Sequence, residues 1–275
     1  MTGWFGLELR ASFLPGDAGV DARTTLTDIM SKRTITPNYI AQHIRRMLKD
    51  GGSAPHSKEV QHFFKEEVKS RGWRTAELRK VAVRFRRTIA KEQSMEFVVS
   101  VADELFSGGI IEEKAFAVFL LEGQTDSFGK REFKLFASWL DRVTNWADHD
   151  GLVHYLLSPM VAAEPGYCPE VFLWARSPNR WRRRAACVAL IRGARKKQLF
   201  AEIVRTSDIL LDDEDDMVQK GLGWLLREAA KYDAKRTLPY LMKIRGRAPR
   251  LVLRTACEKL SAAERKRVLG YQPTT

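Results

Sequence analysis

KVAVRF at residues 80–85 is the first of six similar runs that recur along the chain at an almost constant interval. The others are KAFAVF (114–119), DGLVHY (150–155), RAACVA (184–189), KGLGWL (220–225) and, more weakly, RTACEK (254–259). Their first residues are separated by 34, 36, 34, 36 and 34 positions. A period of about 35 residues is typical of stacked helical repeats. The runs therefore predict an all-α fold, a HEAT-like helical-repeat solenoid.

The first residues of the six runs, here called the column, should line one face, because equivalent positions of stacked repeats do so. The column consists of Lys80, Lys114, Asp150, Arg184, Lys220 and Arg254. We expect this face to be concave and basic, and its cations suit a polyanion. A carboxylate at Asp150 has no evident purpose in binding a polyanion, so its presence indicates chemistry.

The overall composition also favours an acidic partner. The chain has 275 residues, 44% of them apolar, and a formal net charge of +13. Such a charge favours nucleic acid first and an anionic membrane surface second, although an ordinary soluble protein can also be basic. Three cysteines without a CxxC pair are typical of small buried residues in a reducing compartment. No apolar run approaches the ~20 residues of a membrane span.

Two regions follow from the distribution of glycine, proline and apolar residues. Residues 1–33 are interrupted by glycine and proline, carry an early Glu8 and lack a signal peptide, so we expect them to be poorly ordered. We expect residues 34–272 to form a single HEAT-like repeat domain, and the protein to be a cytoplasmic monomer.

Caps and breakers predict helices almost throughout, in antiparallel pairs. Thr36-Pro37 and Ser94 are clear starts, Ser57 opens a helix that ends at Gly72, and Gly221 and Gly223 lie inside a helix where close packing explains them. The predicted helices are 37–49, 58–71, 75–87, 95–106, 111–122, 129–141, 146–160, 168–175, 180–193, 196–206, 216–231, 234–244, 248–259 and 262–269.

Tryptophans accompany the column where it carries Asp150, Arg184 and Lys220. Trp146 lies one turn before Asp150 and Trp224 one turn after Lys220, and residues three or four apart share a helix face. We therefore expect Trp146 and Trp224 to be exposed with the column. The alternative is core packing, which is common for tryptophan. Trp181, three residues before Arg184, stays undecided.

A second basic feature is residues 176–197, here called the basic ridge, which lies in a stretch without any acid between Glu170 and Glu202. It suits contact with a phosphate backbone, although charge runs are also found on solvated faces. Residues 212–216, DDEDD, here called the acidic run, precede a helix and lack the spacing of a calcium loop. We interpret the acidic run as a helix-terminal loop.

Asp148-His149-Asp150 invites a metal or triad interpretation, but no second cluster of histidine or cysteine accompanies it. We predict neither a metal site nor a cofactor. His149 precedes Asp150 by one residue and should point about 100° away from it around the helix. It is therefore not expected to act as a general acid beside Asp150.

Three segments together resemble the AlkD-like DNA glycosylases of the DNA alkylation repair family. They are NWADHD (145–150), NRWRRRAACVALI (179–191) and VQKGLGWLLREAAKY (218–232). RGWRTAELRKV (71–81) is similar to an early segment of the family, and the resemblance covers about residues 57–245. It implies a concave stack of HEAT-like repeats around duplex DNA, and excision of N3- and N7-alkylated purines that leaves an abasic site.

The resemblance also implies site residues. Asp150 takes the catalytic position, Trp146 and Trp224 face the lesion, and Arg184 is the active-site arginine that, with neighbouring cations, holds phosphates. Two residues depart from the family pattern at positions that approach DNA: Phe63 replaces a tyrosine and Arg74 a glutamine. Ala76 replaces a proline. The residues predicted to contact DNA are Lys80, Lys114, Lys220, Arg254, Arg180, Arg182, Arg183, Phe63 and Arg74.

The partner implied is duplex DNA containing alkylated purines, in a bacterial cytoplasm at the nucleoid. Two alternatives stay open. A catalytically silent solenoid that binds DNA or RNA would use Asp150 as a local ion-pair partner. A protein-scaffolding array would carry its basic charge incidentally.

Overall fold

The computed structural model describes residues 35–270, and every regular element within them is helical. This confirms the all-α prediction. The described chain divides into two compact units, one ending at Gln124 and the other beginning at Thr125. The single-domain organisation stays a prediction, and the expectation for residues 1–33 lies outside the described residues. Between residues 35 and 270, no helix combines the length and apolar character that a bilayer span requires.

The first unit contains five α-helices within its described residues. They are α1 (Pro37–Asp50), α2 (Ala54–Gln61), α3 (Thr75–Ile89), α4 (Met95–Phe106) and α5 (Ile111–Leu121). The Thr36 and Ser94 side chains cap α1 and α4, as the sequence predicts.

The second unit is built from shorter helices. They are α6 (Lys130–Trp139), α7 (Trp146–Leu152), α8 (Ser158–Ala163), α9 (Cys168–Trp174), α10 (Arg180–Val188), α11 (Ile191–Arg195), α12 (Phe200–Leu210), α13 (Asp216–Tyr232), α14 (Ala234–Ile244), α15 (Arg250–Ala256) and α16 (Ala262–Leu269). Short 3₁₀ turns follow α6 and α15, and its core includes the fully buried Trp139 and Trp174.

The predicted helix over 58–71 is wrong. Helix α2 starts earlier, at Ala54, and ends at Gln61, and the chain then runs irregularly to Arg74. The buried Glu112 carboxylate accepts hydrogen bonds from the Ser70 hydroxyl and from the backbone N–H groups of residues 71–73. Gly72 adopts φ +77°, a left-handed conformation that suits glycine. A distant carboxylate therefore replaces the helical hydrogen bonds of this segment.

The predicted helix over 196–206 is shifted by about one turn, because α12 begins at Phe200. Lys197 and Leu199 both adopt φ 59°, in the left-handed region. Neither residue is a glycine, so the sequence does not signal the left-handed backbone of the tight α11–α12 connection.

The column follows from the way the repeat helices begin. Asp150, Arg184 and Lys220 each lie five residues after the side chain that caps their helix, namely Asn145, Asn179 and Asp215. Equal offsets from the N-cap place them at equivalent helix positions. In the first unit α3 packs against α5, and in the second α10 packs against α13 and α13 against α15. Within each unit these column helices are thus direct neighbours, as a 35-residue period requires.

The predicted helix over 146–160 is interrupted by a π-helical turn. Helix α7 ends at Leu152, Val153–Leu157 is π-helical, and α8 continues from Ser158. π-turns inside helices are rare and are frequent at functional sites. This one starts three residues after Asp150.

Candidate active site around Asp150

Helix α7 carries both Trp146 and Asp150. The Asn145 side chain accepts hydrogen bonds from the N–H groups of Ala147 and Asp148, at 3.0 Å each, and so starts the helix at Trp146. The four-residue spacing puts Trp146 and Asp150 on the same side of α7. Trp146 is half-buried, whereas Asp150 is only 3% exposed.

Asp150 forms a bidentate ion pair with Arg184 of α10. Arg184 Nε donates to Oδ1 at 3.0 Å, and Nη2 donates to Oδ2 at 2.9 Å. Both side chains are buried. Bidentate guanidinium–carboxylate pairs are strong and fix the plane of the carboxylate. The one acid of the column is therefore held by the next cation of the column.

Arg184 is anchored at a second point by α13. Its Nη1 donates to the Met217 carbonyl oxygen at 2.7 Å. A Cβ atom at Gly221 would lie 3.1 Å from Arg184 Cγ, so glycine leaves the space that the arginine occupies. The Arg184 guanidinium is buried against Asp150 and Met217. Arg184 thereby joins α7, α10 and α13, and its contact with a DNA phosphate stays a prediction.

His149 lies against Asp150, contrary to the expectation that it points away. Its Nδ1 is 2.7 Å from Asp150 Oδ1, and its Nε2 is 3.1 Å from the Trp181 carbonyl oxygen. The ring is fully buried and lies 5.6 Å from the Trp181 ring. The backbone offset of 100° between neighbours is real, but a histidine side chain is long enough to bend back to the adjacent residue.

The electrostatics of the site keep Asp150 ionised. Burial would raise the pKa of the Asp150 carboxyl, but the Arg184 charge and the His149 hydrogen bond outweigh it and hold the pKa far below 3.8. Burial lowers the pKa of His149 below 6.5, and its contact with Asp150 opposes that effect. A carboxylate with such a low pKa is a weak base and a permanent anion.

Trp224 meets a histidine that the sequence interpretation overlooked. The His154 ring, in the π-turn, stacks on Trp224 with centroids 5.7 Å apart and planes at 27°. Both lie four residues after a column residue, a shared register that could have identified the pair. Burial, followed by the Arg195 charge, lowers the pKa of His154 to about 4. Trp224 is half-buried. Trp181, whose exposure the sequence left undecided, is buried and therefore packs in the core.

Several arginines of the basic ridge are paired with acids from elsewhere in the chain. Arg182 forms a bidentate pair with Asp141 at 2.7 and 2.8 Å. The acidic run supplies the partners of two further arginines and of Lys220: Arg180 with Asp215 and Asp216, Arg183 with Asp213, and Lys220 with Asp216. The acidic run does form the loop before α13, but it also pairs with Arg180 and Arg183 of the ridge. Phosphate contacts by these cations require exchange of their carboxylate partners.

The remaining residues predicted to contact DNA differ in accessibility. Lys114 is 3% exposed and its ammonium lies 5.7 Å from the Phe106 ring centroid, so its phosphate contact stays a prediction without exposed surface to support it. Lys80, Arg74 and Arg254 are exposed, and Phe63 is an exposed aromatic with half of its surface accessible. Those four retain the accessibility that DNA contact needs.

Comparisons with known proteins bear on the fold and the family of the chain. One solved structure, a predicted DNA alkylation repair enzyme from Enterococcus faecalis, shares the fold with a TM-score of 0.69. It is 16% identical in sequence, and the match covers 77% of this chain and 97% of that chain. No curated protein matches the sequence. Residues 44–260 match the sequence family of DNA alkylation repair enzymes, a span that includes every column residue, and the chain therefore belongs to that family.

Proposed function

We propose that the protein is a monofunctional DNA glycosylase that excises cationic N3- and N7-alkylated purines from duplex DNA. It would hydrolyse the N-glycosidic bond and leave an abasic site, without cutting the strand. The observation that carries this proposal is the buried, ionised Asp150, held by Arg184 and His149 on the helix that carries Trp146. As an enzyme of bacterial DNA repair it would work as a cytoplasmic monomer at the nucleoid.

The charge state of Asp150 suits this chemistry. When the C1′–N bond of 7-methylguanine or 3-methyladenine breaks, the bonding electrons neutralise the cationic base, so no proton donor is needed. Positive charge then develops on the sugar, and a fixed carboxylate stabilises it, as in glycoside hydrolysis. Water adds at C1′ and releases its proton to solvent. Because its pKa is so low, Asp150 acts in this proposal through its charge and by orienting water.

Aromatic faces support the same proposal. Trp146 and Trp224 are both half-buried, so each keeps accessible surface near a column residue. An electron-poor sugar or lesion against an indole face gains about 0.5–2 kcal/mol. His154 backs Trp224 and restricts its rotation.

A second candidate is a protein that binds nucleic acid without catalysis. The Asp150–Arg184 pair favours this second candidate, because an ion pair that bridges α7 and α10 needs no catalytic role to explain it. It gives no reason for the half-buried Trp146 beside this pair. A protein-scaffolding role, the third possibility, predicts a weak dependence of DNA affinity on salt.

Incubation with duplex DNA that contains 7-methylguanine tests the proposal. We expect free 7-methylguanine and an abasic strand that breaks only after alkaline treatment. Binding to this duplex without release of base would support the non-catalytic candidate. Direct strand cleavage would contradict a monofunctional glycosylase.

A further inference from the structure

His149 contacts Asp150 from a position to which neither the motif interpretation nor the family resemblance gives a role. The ring is fully buried, so it cannot reach a lesion or a water molecule at the surface. Its Nδ1 instead donates to Asp150 Oδ1 at 2.7 Å, the shortest of the three hydrogen bonds to this carboxylate.

The two oxygens of Asp150 are held unequally. Oδ1 accepts from both His149 Nδ1 and Arg184 Nε, which occupies its two lone pairs. Within residues 35–270, Oδ2 accepts only the Arg184 Nη2 hydrogen bond, so one of its lone pairs remains open. A carboxylate held this way has one structural oxygen and one that can accept a further contact.

The far side of the His149 ring packs against another helix. Nε2 lies 3.1 Å from the carbonyl oxygen of Trp181, in the first turn of α10, and the ring lies close to the Trp181 indole. This packing holds the imidazole in place beside Asp150. The Nδ1–H donor is therefore fixed, and it limits rotation of the carboxylate about its χ2 bond.

We propose that His149 is a positioning residue for Asp150, which saturates Oδ1 and leaves Oδ2 as the oxygen that faces the developing charge on the sugar. This assignment rests on the proposed glycosylase function and deepens it. His149 never touches the substrate. Its contribution is made through the orientation of the carboxylate, because an electrostatic contact in a site of this kind depends on pre-organised geometry.

Two substitutions separate positioning from general structural support. His149→Leu removes the Nδ1–H donor to Asp150, whereas His149→Asn keeps an N–H donor at a distance from Cα similar to that of Nδ1. At saturating protein, we expect His149→Leu to release 7-methylguanine about 10- to 100-fold more slowly, the scale of one hydrogen bond to a charged group. We expect His149→Asn to recover most of that loss. The affinity for the duplex should stay unchanged in both, because the ring is buried.

His43→Leu, in α1, is the matched control, since it removes another partly buried imidazole outside the site. A Leu variant of His149 that is folded and as fast as the parent would overturn the proposal. An equal loss in the Leu and Asn variants would also overturn it, because the Asn donor should rescue. If the parent itself releases no base, the proposed function fails, a result distinct from either of these.

A measurement on the unaltered protein covers the case in which the variants do not fold. In ¹⁵N-histidine NMR spectra at neutral pH, His149 Nδ1 should carry a proton that is protected from solvent exchange. An unprotonated Nδ1 would overturn the proposal, because the ring could not then donate to Asp150.

Discussion

The buried Asp150–Arg184 pair should couple strongly to stability, and a near-identical pair at the surface provides the reference. Arg182 and Asp141 make the same bidentate contact, but the Asp141 side chain is 57% exposed, against 5% for Asp150. Breaking a buried pair by removing one partner costs about 3–5 kcal/mol. An exposed pair is worth about 0.2–1 kcal/mol. The two ion pairs therefore share the same bidentate geometry and differ in burial.

The assay is a double-mutant cycle for each pair, measured as the free energy of unfolding in urea. The buried cycle uses Asp150→Asn and Arg184→Met, and the exposed one uses Asp141→Asn and Arg182→Met. Removing either buried partner leaves the other charge buried and unpaired. The double variant should therefore be less destabilised than the sum of the two single variants, with a coupling free energy of about 2–3 kcal/mol. The exposed cycle should give under about 1 kcal/mol. Equal couplings in the two cycles would refute the reasoning that burial makes Asp150 an obligate partner of Arg184.

Three further predictions concern acid stability, salt and lesion chemistry. Because the pKa of His154 is about 4 when folded and 6.5 when unfolded, its contribution to stability is present above pH 6.5 and lost as the pH falls toward 4, by about 3 kcal/mol. His154→Phe keeps a ring against Trp224 but cannot be protonated, so the free energy of unfolding should fall less between pH 6.5 and pH 4. An unchanged pH dependence would exclude His154 as its source. If about five phosphates are contacted, the logarithm of the association constant for duplex DNA should fall with log salt at a slope near −4 to −5. Arg254→Ala should reduce the magnitude of that slope by about 0.9. An affinity that does not change with salt would favour the scaffolding role. Because His149 is buried and offers no proton to a leaving base, single-turnover rates should be far lower for neutral hypoxanthine than for 7-methylguanine, and equal rates would reveal a general acid elsewhere.

The repeat and its register could be predicted from the sequence because they depend on local signals. Asn145, Asn179 and Asp215 cap their helices with their own side chains, and an equal offset of five residues then places Asp150, Arg184 and Lys220 at one helix position. Neither step needs knowledge of distant contacts, so periodicity alone identifies these positions.

The partners of those residues could not be predicted, since they depend on distances between helices. Nothing local indicates that Asp150 pairs with Arg184, or that the acidic run turns back onto Arg180 and Arg183. A charge run viewed alone suggests a free surface, whereas the structure shows ion pairs between members of the two runs. Lys114 illustrates the same limit, because its helix is buried on nearly all sides.

Side-chain reach accounts for the error at His149. Helical geometry orients the Cα–Cβ bonds of neighbouring residues about 100° apart, but the imidazole bends back to the Asp150 carboxylate and packs between it and Trp181. Similarly, the distant Glu112 carboxylate accepts hydrogen bonds from Ser70, Arg71 and Gly72, a contact that the helix prediction over 58–71 could not anticipate.

The most direct test of the central claim is the single-turnover release of 7-methylguanine by Asp150→Asn. Asp141→Asn serves as the control, since it removes the same charge from an exposed bidentate pair. We expect Asp150→Asn, folded and with duplex affinity close to that of the parent, to release base at least about 10²-fold more slowly, while Asp141→Asn keeps the parent rate. A folded Asp150→Asn protein that releases 7-methylguanine at the parent rate would contradict the claim that the Asp150 carboxylate stabilises the transition state.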